Sequence, residues 1–272
     1  MSNELISVNI TTHNRAHLLP RCIDSILAQS YKNIELVVVD DFSSDDTLEV
    51  IKKYQEKDDR IEYYRHEVNK GNANSRNTAL EKCNGYYVAF MDDDDEWIDI
   101  DKLKKQIEIF QNSNNSRLAI VCSGIVRHQK DGNEIKEQAC HPRNIKNVVL
   151  KGGLIHNSTV LTKRNIMKDV GGFDLNVERG VDSEFFRRVI LMHDYEVFFM
   201  RDITCRYYEN CPNRMTALRG CQGYLKHLRS QYVNIKKYFK YLARRPLILL
   251  FRVKIMIVLF LQYIKCRVIN GR

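Results

Sequence analysis

Apolar runs and amphipathic stretches alternate along the first hundred residues. Residues 5–10, 34–39, 61–65 and 86–91 are short runs rich in β-branched or aromatic side chains and predict strands. Between them, residues 16–28 space Leu18, Leu19, Cys22, Ile26 and Leu27 at helical intervals. Residues 47–54 and 74–82 predict two more helices, the first with Ser44 or Asp45 as N-cap. Continuous apolar strands separated by helices predict a parallel sheet covered on both faces, an α/β architecture. Ligands of such sheets bind beyond the carboxyl ends of the strands. Polar residues gather at those ends: residues 11–15 after the first strand, Asp40 and Asp41 after the second, Asp92 to Asp95 after the fourth.

The second half has a different rhythm. Residues 118–127 and 133–136 flank the turn Lys130-Asp131-Gly132 and predict a hairpin. Residues 154–162 predict a strand, and a short helix begun near Arg164 closes at Gly171-Gly172-Phe173. Residues 182–192 predict a helix, and residues 196–200 and 204–208 two strands. From about Thr216 the pattern predicts two helices broken at Pro246. In the second, residues 247–264 are almost wholly apolar but for Arg252 and Lys254. Two central cations disfavour a spanning helix, and favour one lying in the interface with its cations reaching the head groups. A pair of helices packed on the body is the plainer alternative. The expected division is a body of 1–215, comprising halves 1–117 and 118–215, and a helical tail of 216–272.

Charge sharpens that division. The net charge is +9, yet all 34 acidic residues lie at or before Glu209. Beyond it stand 14 Lys/Arg and no acid, against 29 basic residues in the body. A basic tail on a mildly acidic body suits a phosphate-bearing surface, either membrane or nucleic acid. The eight cysteines contain no CxxC pair, and Cys22, Cys83 and Cys122 sit in apolar or helical surroundings, as buried thiols do. With an N-terminus that lacks a basic leader, this predicts a reducing cytoplasm.

The run Asp92-Asp93-Asp94-Asp95 concentrates negative charge just beyond a buried strand. A hard cation such as Mg²⁺ or Mn²⁺ would compensate it and keep positions open for phosphate oxygens. An acidic loop capping the next helix is the other reading. Thr11 and Asp41 end neighbouring strands and could bond a base, though Asp and Ser also simply favour turns. In Asn69-Lys70-Gly71 and Ser75-Arg76-Asn77, the cations suit a base or phosphate, or an exposed helix surface. Asp182-Ser183-Glu184 opens an apolar helix, where an acid either caps the helix or serves as a general base.

Taken in order, these motifs resemble glycosyltransferase family 2, inverting enzymes of the GT-A fold. Residues 6–15 are similar to the family's first strand and nucleotide loop, and residues 25–31 to the helix end that follows. Residues 38–47 resemble its second-strand signature. Residues 69–77 with Phe90-Met91-Asp92-Asp93-Asp94-Asp95 complete the donor half. The resemblance implies a nucleotide site of Thr11, His13, Arg15, Asp41, Lys70, Arg76, Asp92 and Asp93. It implies Mn²⁺ or Mg²⁺ on Asp94, with Asp92 and Asp95, and Asp182 as catalytic base, preceded by the loop Gly171-Gly172-Phe173-Asp174. It further implies a UDP-sugar donor, a lipid-linked glycan acceptor in bacterial surface-polysaccharide or O-antigen synthesis, and a place on the inner face of the cell membrane. Phe42 stands where the family usually has Gly, His13 where Tyr is frequent and Val181 where Glu precedes the base. Other classes fit less well. No GxGxxG follows the first strand, against a dinucleotide-binding dehydrogenase. Tyrosines interleaved with Lys/Arg in the tail suit nucleic acid, but the acidic strand ends argue against that as the main activity. A sugar-nucleotide-binding module without transferase activity is the remaining alternative.

Overall fold

The computed structural model describes residues 3–209 and 220–270. Four parallel strands open the chain: β1 (Ile6–Thr12), β2 (Ile34–Asp40), β3 (Ile61–Arg65) and β4 (Tyr87–Asp92). They are linked through α1 (Leu19–Leu27), α2 (Thr47–Gln55) and α3 (Asn72–Lys82). After the short β5 (Glu96–Trp97) come α4 (Lys102–Asn112), β6 (Leu118–His128), β7 (Glu134–Glu137), α5 (Ile145–Lys151) and β8 (Leu161–Lys163). Then follow α6 (Arg164–Val170), α7 (Val181–Arg187), β9 (Glu196–Tyr208), α8 (Gly220–Ala243) and α9 (Pro246–Asn270).

All nine strands join one sheet in the order β3-β2-β1-β4-β8-β6-β9-β5, with β7 beside β6. β1 runs parallel to β2 and β4, and β2 to β3. β1, β2 and β4 are buried along almost their whole length, as in a parallel sheet covered on both faces, while the edge strand β3 is mostly half-buried or exposed. The antiparallel β8 then reverses the sheet. Each face carries its own core. Ile23, Ile26, Leu103 and Ile107 from α1 and α4 cover one side, and Ala79, Val170, Phe185 and Tyr238 from α3, α6, α7 and α8 the other.

The α/β reading, the hairpin at 118–136 and the helix break at Pro246 agree with this architecture. Two expectations need correction. Residues 154–162 are not one strand: Asn157–Thr159 is a 3₁₀ turn, and only Leu161–Lys163 pairs with β4. The turn brings Asn157 and Ser158 under the end of β4, a tertiary demand invisible in local periodicity. The two strands read at 196–208 are one, β9, whose register against β6 slips between residues 118 and 125. The irregularity, not a loop, causes the break in apolar pattern.

The cysteines divide. Cys22, Cys83 and Cys122 are buried free thiols as expected, whereas Cys221 and Cys266 form a disulfide between α8 and α9. That bond runs against a uniformly reduced chain. Its halves are 45 residues apart in sequence and meet only because the two helices fold back on each other.

Candidate active site

The strand ends meet in register. Thr11 pairs with Asp92 across β1 and β4, and Thr12 with Asp40 across β1 and β2. Two adjoining cavities open above them. One, of about 180 Å³, is lined by Thr11, His13, Arg15, Asp41, Asn72 and Asp93. The other, of about 140 Å³, is lined by Arg76, Asp92, Asp94, Arg179, Asp182 and Tyr207, sharing Thr11, Arg15, Asn72 and Asp93 with the first.

The four aspartates do different work. Asp93 is buried and ion-paired with Arg15 Nη1, which also lies 3.4 Å from Asp94. Burial pushes the Asp93 carboxyl up to about 6, with Arg15 holding it down. Asp92 accepts from Arg76 Nη2 and from Asn157 Nδ2, each at 2.8 Å. Asp95 accepts from Ser158 Oγ, and Arg21 Nη2 donates to the Asp94 carbonyl at 2.9 Å. Part of the negative charge is thus balanced by arginine. Asp92, Asp94 and Asp95 nevertheless each bring a carboxylate oxygen within 4.8 Å of the others. Three carboxylates so close are a donor set for a hard divalent cation.

Asp182 faces this cluster from the start of α7. Its Oδ1 lies 3.2 Å from Arg76 Nη2, the same nitrogen that bonds Asp92. Arg76 is buried on α3 and stacks near Phe173, and its Nε donates to Asn72 Oδ1 at 3.0 Å. One guanidinium therefore fixes the distance between the acidic cluster and the carboxylate across the cleft. Burial pushes the Asp182 carboxyl above the usual carboxylate range; Arg76 opposes the shift and Asp92 adds to it. Position 182 is held by the loop before it. Asn77 donates to Phe173 O at 2.9 Å and accepts from Phe173 N at 2.7 Å. A Cβ on Gly172 (φ +64) would stand 2.6 Å from Asn77 Oδ1, so any other residue there would strain the backbone and crowd this contact.

Asp41 is differently engaged. It bonds His66 Nδ1 and accepts from the backbone N–H groups of Lys70 and Gly71, all at 2.8 Å. Its carboxylate thus shapes the 66–71 loop that walls the first cavity. The side chain of Lys70 is exposed and outside the residues lining either cavity; its contribution is that N–H. Asn72, Asn157, Ser158, Arg179 and Tyr207 also reach the site, with little or no local signal in the sequence. The break in helical spacing at Asn72 and the polar triplet Asn157-Ser158-Thr159 in an apolar stretch were the only traces.

Residues 7–171 match the sequence profile of glycosyl transferase family 2. The chain belongs to that family. An uncharacterized glycosyltransferase of Haemophilus influenzae is 34% identical over 168 residues, 62% of this chain and 66% of the relative. The Escherichia coli UDP-Glc:alpha-D-GlcNAc-diphosphoundecaprenol beta-1,3-glucosyltransferase WfaP is 40% identical over 108 residues, 40% of this chain and 42% of its own. The chain thus spans less than two thirds of each of these relatives. Its fold is similar to that of Staphylococcus aureus TarS 1–349 in complex with UDP-GlcNAc. The TM-score is 0.65 at 20% identity, over 85% of this chain and 66% of that one. It is also similar to mannosyltransferase PcManGT of Pyrobaculum calidifontis in complex with GDP-Man and Mn²⁺. Here the TM-score is 0.63 at 21% identity, over 86% and 64%. The GT-A fold implied by the motifs is the fold the family member adopts.

Proposed function

We propose that this family 2 member transfers a sugar from a UDP-sugar to a hydroxyl of a lipid-linked glycan, inverting the anomeric carbon. The observation that carries the reading is the pair of ion contacts from Arg76 Nη2, 2.8 Å to Asp92 and 3.2 Å to Asp182. They hold a carboxylate opposite the acidic cluster, as a base on one side of the reacting carbon and a diphosphate on the other require. Asp182 takes the proton of the acceptor hydroxyl as its oxygen bonds the anomeric carbon. The bond from that carbon to the diphosphate breaks, and its electron pair leaves with UDP. Attack opposite the leaving group inverts the centre, so an α-linked donor gives a β-linkage.

Thr11, His13, Arg15, Asp41 and Asp93 line the cavity offered to the base and ribose. The Lys70 N–H, bonded to Asp41, and Arg76, bonded to Asn72, hold two residues of that wall in place. Asp92, Asp94 and Asp95 would hold Mn²⁺ or Mg²⁺, which when bound supplies positive charge against the departing diphosphate. The diphosphoundecaprenol acceptor of WfaP and the UDP-GlcNAc seen with TarS support these substrate classes.

The tail supports a membrane setting. Pro246–Ile269 is long and apolar enough to cross a bilayer, but Arg252, in its second turn, is buried. It donates to Leu150 O and Gln231 Oε1, each at 2.8 Å. With Leu247, Leu250 and Leu261 exposed on the other faces, α9 is read as lying flat on the inner face of the cell membrane.

The test is Asp182→Asn. Transfer falls by about 10²–10⁴-fold, while UDP affinity by calorimetry stays within about twofold. A variant that loses UDP binding as well, or keeps its rate, contradicts Asp182 as the base.

A further inference from the structure

An open groove of about 830 Å³ runs between α8 and α9, within the range of ligand-binding clefts. Leu228, Tyr232, Val253, Met256, Ile257 and Phe260 give it apolar walls. At one end stands Glu178, which also lines the catalytic cleft. From there the chain runs through Arg179, Gly180 and Val181 to Asp182, all four of them cleft residues. This segment is pinned to the hairpin. Ser230, fully buried on α8, accepts the backbone N–H of both Glu178 and Arg179 at 3.1 Å. Cations gather at the junction: Arg229 lines the groove, Arg179 the cleft, and Lys226 Nζ lies 3.2 Å from Glu178. The positive surroundings register on His227, whose basicity is lowered by burial and then by Arg179 and Arg252.

We infer that this groove seats the isoprenoid chain of the acceptor, with its diphosphate at Arg179 and Arg229 and its terminal sugar at Asp182. The inference rests on the lipid-linked reading of the acceptor. A glycan has no reason to enter apolar walls, and a neutral hydrocarbon gains nothing from the cationic end. A molecule with an apolar tail and an anionic head matches both ends in the order the chain presents them. The groove is therefore a specificity element for the carrier, distinct from the outward face of α9.

Geranylgeranyl diphosphate is the probe, titrated against the full chain by calorimetry. Two variants of exposed positions keep the fold out of question: Ile257→Glu in the groove, 55% exposed, and Leu261→Glu, 60% exposed and not among the groove's lining residues. The wild type binds the probe. Ile257→Glu weakens binding at least about tenfold and Leu261→Glu leaves it unchanged, while UDP binding is equal in all three. Geranylgeraniol and inorganic diphosphate each bind more weakly than the joined molecule. Equal binding by Ile257→Glu, equal binding of geranylgeraniol, or no binding by the wild type overturns the groove assignment. So does a wild-type dimer in light scattering that Ile257→Glu dissolves, because a second copy would then be the occupant. The readout needs no turnover, so failure of the transferase reading shows separately, as no UDP release from any donor.

Discussion

Three residues carry consequences that their types alone conceal. Phe42 sits at φ +68, in the left-handed region that favours glycine, with its ring 46% exposed beside Arg65. Glycine would adopt that conformation without a side-chain penalty. A bulky side chain held so costs on the order of 1 kcal/mol. Phe42→Gly is expected to leave stability unchanged or raise it by up to about 1 kcal/mol in urea melts; a loss larger than that would mean the ring packs more than it strains. Lys102 is fully buried, donates to Gln106 Oε1 at 2.8 Å and sits over the Trp97 ring. Burial lowers its amine from 10.5 to about 7. The unfolded chain therefore binds a proton that the folded one lacks between pH 7 and 10.5, and stability from this group rises with pH across that window. Below pH 7 the full cost of the buried charge is felt. Lys102→Met should stabilise the fold by about 2 kcal/mol at pH 7 after loss of the Gln106 bond, with the advantage shrinking toward pH 10. An advantage constant with pH would show that packing, not charge, is responsible. Arg76 was legible as a site residue from Ser75-Arg76-Asn77, but not its partner. Asp182 lies 106 positions on in the chain, and only the packing of α3 against the loop before α7 brings the two together.

At the scale of elements, the strand ends were the most legible feature, because a buried parallel strand writes its whole length in apolar residues and its end in polar ones. The acceptor side was less so. Asn157 and Ser158 reach Asp92 and Asp95 from a 3₁₀ turn that interrupts an apolar stretch, and β9 hides its irregular pairing in a polar gap. The second part of the helix after Asp182 is also irregular: Arg188–Met192 is a π-turn. The apolar pattern predicts the two helices α8 and α9, described from Gly220 onward with the expected start near Thr216 outside the described residues, but it carries no sign of the role of Arg252. Arg187 and Arg252 donate to Val149 O and Leu150 O, the last carbonyls of α5, where a helix dipole favours cations. Arg252 is thus a latch rather than a charge seeking head groups. Arg252→Glu puts a carboxylate against those carbonyls. Hydrogen exchange of α9 amides should then quicken at least about tenfold, with β1 and β4 unaffected. Unchanged protection in α9 would show that its apolar stripe, Ile248 and Leu259, holds it without the latch.

The whole molecule separates its charges. The acidic cluster faces a cleft walled by arginines, while the basic segment forms the far hairpin with its apolar outer face. One pinned segment, residues 178–182, joins the cleft to the α8–α9 hairpin. Under the proposed function the donor would arrive from solution and the acceptor from the lipid surface, the two meeting at Asp182. The measurement that tests this most directly is UDP release from a panel of UDP-sugars with an undecaprenyl-diphosphate-linked acceptor, with Mn²⁺, with Mg²⁺ and with chelator. Wild type and Asp94→Ala are compared. Acceptor-dependent release from one donor, requiring the cation and falling at least about 10²-fold in the variant, is expected. Release from no donor, GDP- and dTDP-linked sugars included, or turnover unaffected by chelator and by Asp94→Ala, would contradict it.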